Sequence, residues 1–238
     1  MPCENCLCLF RGLNDGENPP GDLPCTVAGL VQCSNYDKGE MLFLQGEPGG
    51  YLYSIAHGVV KICHHSQDGR EQIVGIGRRG NLVVGLQTLQ QDHYAYSAAA
   101  ATAVQACRIS HKALLSRVAD QPDMAMRLID ALNAQLVQSR ALIQAMGQKC
   151  ANSKLASFIL MMAPQPWPQD GRFRLPITRL EIANLLGLSE ETVCRLMADM
   201  KRREILLAPR GRIEVLDLEA LRNLAEGEPG DEQGQQIA

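Results

Sequence analysis

The stretch from Pro122 to Gly147 constrains this 238-residue chain more than any other. Within it Ile129, Leu132, Leu136, Ser139, Ile143 and Met146 alternate three and four apart, and only Ser139 is polar. That is the spacing of a heptad seam on a helix. No proline or glycine interrupts the segment between Asp123 and Met146. A single helix over 121–150 is predicted, and its apolar stripe needs a cover. The cover is either the body of the same chain or the same stripe on a twin helix. The strict alternation favours the twin, and with it a homodimer.

The flanks have a different texture. Residues 11–24, RGLNDGENPPGDLP, read as loop. From about Cys33, short apolar runs are punctuated by glycine: KGEMLFLQGEPGG, then YLYSIAHGVVKICHHSQDGREQIVGIGRRGNLVVGL. QDGRE reads as a hairpin turn and AAATAVQACRIS as one further strand, which points to an antiparallel roll or barrel. After the long helix, NSKLASFILMMA reads as a second helix and PQPWPQDGRF as a break. In ITRLEIANLLGLSEETVCRLMADMKRREILLAPRGRIEVLD, Thr178 with Glu181 forms a capping box. Gly187 ends that helix, Ser189 caps the next, and Gly211 marks a hairpin tip. Helix, short turn, helix and hairpin make a winged helix-turn-helix. The expected fold class is α+β. Its parts are an N-terminal cysteine-rich segment (1–24), an antiparallel β-roll (25–120), a dimerisation helix (121–150), the winged helix-turn-helix (151–226) and a disordered acidic tail (227–238).

Composition excludes several function classes. No run approaches the ~18 apolar residues of a membrane span, and no signal peptide opens the chain. Nine cysteines, an odd number at irregular spacing, do not make a secreted disulfide framework. A cytoplasmic protein with no membrane partner is expected. No phosphate loop, nucleophile elbow or paired histidine motif is present, so no enzyme is expected. The net charge is −3, yet Arg172–Glu214 holds nine basic residues against six acidic ones. A local basic patch suits nucleic acid.

The second helix of the helix-turn-helix enters the major groove in such motifs. Glu191 and Arg195, four apart, share one of its faces. Arginine binds guanine O6 and N7, and glutamate accepts from cytosine N4. The competing role is a surface ion pair worth about 0.2–0.5 kcal/mol. Thr178, Arg179, Arg203, Arg210 and Arg212 are candidate phosphate contacts.

Three cysteines, Cys3, Cys6 and Cys8, crowd the first ten residues, a density that points to metal binding or redox chemistry. Cys63 and Cys150 read as small buried hydrophobes. The order of glycine-punctuated roll, seam helix and "ITRLEIANLLGLSEETVCRLMADMKRREIL" resembles the CRP/FNR family of bacterial transcription regulators, from about Cys3 to Leu224. The resemblance places the family's base-reading pair on Glu191 and Arg195. It puts Cys194 where relatives carry Ser or Gly, and Glu190 where CRP-like members carry Arg. It implies a palindromic double-stranded DNA operator, a homodimer and RNA polymerase as a further partner.

The resemblance also implies a cyclic-nucleotide-binding-like roll, but VVGLQTL stands at the phosphate-binding turn and Tyr96 with Ser97 at the Arg-Ser pair. With that charge missing, no cyclic AMP is expected. FNR-like members hold a [4Fe–4S] cluster that senses oxygen or nitric oxide. The resemblance implies Cys3, Cys6, Cys8 and Cys107 as ligands, with Cys25 as a substitute and Cys33 as a weaker one. The C-x2-C-x-C spacing is tighter than the family's. A thiol–disulfide switch, zinc on the same thiolates, or a small effector in the roll remain alternatives. Haem, through a histidine and Pro2, is a remote one.

Overall fold

The computed structural model describes residues 31–82, 93–120, 122–147, 150–164, 166–209 and 211–227. Cys3, Cys6, Cys8, Cys25, Arg210, the VVGLQTL segment and the tail from 228 onward lie outside them. The chain divides into two compact units, residues 1–138 and 139–238.

The first unit holds β1 (Val31–Tyr36), β2 (Met41–Phe43), β3 (Tyr51–His57), β4 (Val59–His65), β5 (Glu71–Arg78), β6 (Ser97–Ala100), β7 (Val104–Ser110), α1 (His111–Asp120) and most of α2 (Pro122–Gly147). Two antiparallel sheets form, in the orders β1-β7-β3 and β2-β6-β4-β5. Alternation along the strands gives the three-stranded sheet two apolar faces. One face carries Tyr53, Ile55, Val104 and Ala106 and packs against Phe43, Val60, Ala98 and Ala100 of the other sheet. The opposite face carries Val31, Leu52, Cys107 and Ile109 and is covered by Leu114 of α1 and Leu128 of α2.

Two expectations for this unit are corrected. The segment AAATAVQACRIS is not one strand. It breaks at 101–103 into β6 and β7, which belong to different sheets. The break is held from the β3–β4 turn, where Val59 N–H donates to Thr102 Oγ1 (3.0 Å) and Ala101 N–H to the Val59 carbonyl (2.8 Å). Gly58 makes this approach possible: at φ 90°, a Cβ on it would sit 2.3 Å from the Ala103 carbonyl oxygen. The second correction is α1, a helix inside the range read as roll.

The long helix forms where its spacing places it, with two apolar sides. Leu128, Ala131 and Leu132 pack against the roll's outer apolar face. Ile129, Leu136 and Ile143 remain 54%, 48% and 68% exposed, with Met126 and Val137 also exposed. Leu132 therefore belongs to the roll-facing side, because positions 128, 131 and 132 share a face at 3.6 residues per turn. Ser139 is exposed and Met146 half-buried.

The second unit holds the end of α2, α3 (Ala151–Met162), β8 (Arg172–Arg174), α4 (Arg179–Leu186), α5 (Glu190–Arg202), β9 (Leu206–Leu207), β10 (Arg212–Val215) and α6 (Leu218–Glu226). Its sheet has the order β8-β10-β9. β8 lies in the stretch read as a break. Gly171 turns the chain into it, accepting from Val215 N–H through its carbonyl (3.0 Å). α6 was not read from the sequence; Asp217 caps it by accepting from Ala220 N–H (2.8 Å). The core joins Leu155, Phe158 and Ile159 of α3 with Ile182, Leu185, Val193 and Leu221, all buried. Among the described residues no helix is long and apolar enough to cross a membrane.

Candidate DNA interface and cysteine pair

The α4–turn–α5 geometry is set by local chemistry. Thr178 Oγ1 accepts from Glu181 N–H (3.2 Å), and the Glu181 carboxylate accepts from Thr178 N–H (2.7 Å), closing the capping box. Gly187 adopts the left-handed conformation (φ 65°, ψ 38°) that ends α4. Ser189 Oγ accepts from Thr192 N–H (3.1 Å) to start α5. Val193, Met197 and Met200 bury the inner face of α5. Glu190, Glu191 and Arg195 are left on the outside.

Glu191 and Arg195 are both exposed on the first two turns of α5. Among the described residues, no ion pair joins them to each other or to a third group. Both side chains are exposed on the outer face of α5. Cys194, between them and the core, is half-buried, and its sulfur accepts from Arg179 Nη1 at 3.5 Å. Arg179 thus leans from the start of α4 onto α5, a contact no sequence spacing announces.

The other candidate contacts differ in how free they are. The Thr178 hydroxyl is engaged in the cap, donating to Glu181 Oε2 as well (3.0 Å). Arg203 lies 3.9 Å from Asp199, which also holds Arg202 at 2.8 Å. Arg212 is exposed on β10, directly opposite Arg174 of β8. Like charges facing each other across a strand pair are destabilising by themselves and are relieved by an anion. On the same face Arg172 is paired with Glu214 at 2.8 Å. Arg174 is one of the basic residues to which the sequence assigns no individual role. Its signal was hidden because β8 was not recognised. A concavity of about 490 Å³ between the helices and the hairpin is lined in part by Thr178, Arg179 and Arg212.

In the first unit Cys107 has a partner that the spacing of the cysteines does not announce. Cys107 on β7 stands directly opposite Cys33 on β1 and is joined to it by a disulfide, with Cα atoms 4.1 Å apart. Cys107 was expected as a metal ligand with Cys3, Cys6 and Cys8. In this state its sulfur is bonded instead to the residue ranked as a weak substitute. The reason is register: cross-strand neighbours bring their Cβ atoms together. Among the described residues no group of three or more His, Cys, Asp or Glu is placed to hold a metal ion. Cys63 is buried as expected, but Cys150 is exposed at the start of α3, its sulfur 3.2 Å from Ser153 Oγ.

Tyr96 is partly exposed, with its ring 6.0 Å from that of His64. Ser97 is buried. Its hydroxyl accepts from Gln45 N–H (2.9 Å) and shares a hydrogen bond with His65 Nδ1 (3.2 Å).

Comparison with known proteins agrees with this architecture. A cyclic nucleotide-binding domain family matches residues 33–121, and a Crp-like helix-turn-helix domain family matches residues 153–224. The Fumarate and nitrate reduction regulatory protein of Salmonella typhi is 29% identical over 231 residues, 94% of this chain and 90% of that protein. The Transcriptional activator protein Anr of Pseudomonas protegens is 28% identical over 193 residues, 80% of this chain and 79% of that protein. The structure of FixK2 from Bradyrhizobium japonicum shares the fold, with a TM-score of 0.72 at 24% identity over 82% of this chain and 97% of that one. Such proteins regulate transcription rather than catalyse reactions. A nucleotide-binding-type roll followed by a Crp-like helix-turn-helix places this chain in the CRP/FNR family of DNA-binding transcription regulators.

Proposed function

We propose that the protein binds a palindromic double-stranded DNA operator as a homodimer, and that its grip on DNA responds to oxygen, nitric oxide or redox state through cysteine chemistry centred on Cys107. One observation carries the DNA reading: the exposed Glu191 and Arg195 with no ion-pair partner among the described residues. The exposed stripe of Ile129, Leu136 and Ile143 supports the dimer, which would present two recognition helices to a two-fold site. RNA polymerase is the partner such a regulator meets on DNA. A relative named for fumarate and nitrate reduction supports the redox input.

A [4Fe–4S] cluster is the centre that the family resemblance implies. Of its candidate ligands, Cys107 and the weaker substitute Cys33 are among the described residues, and their sulfurs are bonded to each other. A cluster takes thiolates, so in this state the Cys107 sulfur is not available to one. The described residues favour a thiol-based response.

Two measurements test this reading. Fluorescence anisotropy with a palindromic duplex, on protein prepared with and without oxygen, is expected to give different affinities; identical affinities refute the redox input. Iron and sulfide analysis of protein purified without oxygen decides between metal and thiol. Acid-labile sulfide in proportion to iron favours the cluster, and its absence after reconstitution excludes it. We also read the roll as lacking a cyclic AMP site, since Tyr96 stands where the resemblance expects an arginine and the Ser97 hydroxyl is already engaged. A saturable thermal shift with cyclic AMP would overturn that.

A further inference from the structure

β7 is the central strand of the β1-β7-β3 sheet, and Cys107 has a neighbour on each side. Cys33 lies opposite it on β1 and Ser54 opposite it on β3. Residues directly opposite one another project to the same face. The three side chains therefore form one row, on the face that carries Leu52, Ile109 and Leu128. Cys33 and Cys107 are joined. Ser54 is 0% exposed, and its hydroxyl has no hydrogen-bond partner among the described residues.

A buried hydroxyl without a partner is unfavourable, and the structure around it is expected to supply one in some state. The neighbouring sulfur can do so when reduced, because a thiol accepts and donates weakly and a thiolate accepts strongly. In the disulfide the S–H is gone and the remaining sulfur is a poor acceptor. The row is more complete in the dithiol state. Cys107 is 1% exposed and Cys33 half-buried, so Cys33 is the sulfur that a small solute meets first.

We propose that Cys33 and Cys107 are a reversible redox pair, closed by a peroxide-class oxidant and reopened by a dithiol, with Ser54 biasing the pair toward its open form. This rests on the reading of Cys107 as the redox centre and names its partner. The Cys33 thiolate attacks one peroxide oxygen. The O–O bond breaks, the departing oxygen leaves as water with the thiol proton, and Cys33 becomes a sulfenic acid. The Cys107 thiolate then attacks that sulfur. An S–S bond forms, the S–O bond breaks, and a second water carries away the remaining proton. Two thiols and hydrogen peroxide give one disulfide and two waters, a two-electron oxidation. Reopening is thiol–disulfide exchange, in which the external dithiol gives up two electrons and two protons and becomes a disulfide itself. While the pair is closed, Cys107 has no thiolate for a metal. The pair shares its apolar layer with Leu128 and Leu132, so its state is felt on the roll-facing side of α2.

The test uses the full chain, reduced without oxygen and then given one equivalent of hydrogen peroxide. Remaining thiols are alkylated and the peptides mapped by mass. The expected product links the Cys33 and Cys107 peptides with the loss of two hydrogens, and dithiothreitol returns both to an alkylatable form. Peroxide consumed while both stay alkylatable, or Cys107 linked to a different cysteine, overturns the proposal. Ser54→Ala gives a second reading in a glutathione redox titration. The ratio of closed to open form is expected to rise by up to about tenfold at a fixed buffer, the scale of one unsatisfied buried hydrogen-bonding group. An unchanged ratio removes Ser54 from the device. Operator affinity measured on the same samples separates the two claims. If the pair closes and affinity does not move, the redox input proposed above fails. If affinity moves and the pair stays open, this inference fails instead.

Discussion

Replacing Arg195 and Arg212 by alanine, separately, separates base reading from phosphate binding. Arg195 stands on the recognition helix with no ion pair among the described residues, and Arg212 on the hairpin opposite Arg174. A bidentate arginine–guanine contact discriminates by about 1–3 kcal/mol. With two recognition helices per dimer, Arg195→Ala is expected to cost roughly 2–6 kcal/mol on the operator, about 30-fold to 10⁴-fold in affinity. On a scrambled duplex it should cost little. Arg212→Ala should weaken operator and scrambled duplexes alike. Each lost phosphate contact lowers the slope of log affinity against log salt by about 0.9, so two per dimer lower it by roughly 1.8. Arg203→Ala should change the slope less, because Asp199 already neutralises that side chain in part. Anisotropy titrations of the two duplexes over a salt series measure all three. If Arg195→Ala weakens both duplexes equally, α5 does not read bases through Arg195 and the argument from its exposed face is wrong.

Further outcomes follow from burial, capping and protonation. Ile143→Glu is expected to convert a dimer to monomer without lowering the melting temperature of the monomer, since Ile143 is 68% exposed in a single chain. Burying an isoleucine is worth about 1.5–3 kcal/mol, and a two-fold interface counts it twice; sedimentation velocity reads the change. Leu132→Ala should instead destabilise the first unit, because Leu132 packs on the roll. Thr178→Ala removes the capping box and should cost about 1 kcal/mol, seen as a lower midpoint in urea. Burial holds the His111 imidazolium below its usual pKa. The unfolded chain then binds more protons than the folded one below about pH 6.5, so this contribution to stability is lost as the pH falls from 6.5 toward the depressed folded value. His111→Gln should flatten that part of a stability–pH curve.

What the sequence made legible is what short-range physics determines. The capping box at Thr178, the left-handed Gly187 and the cap at Ser189 lie within a few residues of the groups they satisfy. α2 was visible because its alternation persists over about three heptads. The AAAT run hid a boundary, because the break between β6 and β7 is made by partners around Gly58, not by a local proline or glycine. β8 was missed because three residues between an Asp-Gly turn and Pro176 carry no period of their own. The partner of Cys107 was illegible for a different reason. Cys33 is 74 residues away, and only the β1–β7 register brings the two together. Leu132 fits a heptad and a roll-facing helix equally well, so spacing alone could not assign its side.

The two-sidedness of β7 has an evolutionary consequence. Its odd-numbered Cys107 and Ile109 face α1 and α2, and its even-numbered Val104 and Ala106 face the roll interior. One peptide unit separates the lining of the interior from the sulfur chemistry outside. Substitutions can remodel the interior for a new small molecule, or abolish one, while leaving the cysteine row in place. A single-residue insertion or deletion in β7 would exchange the two linings at once. This strand should therefore tolerate point changes on either side but not changes in length.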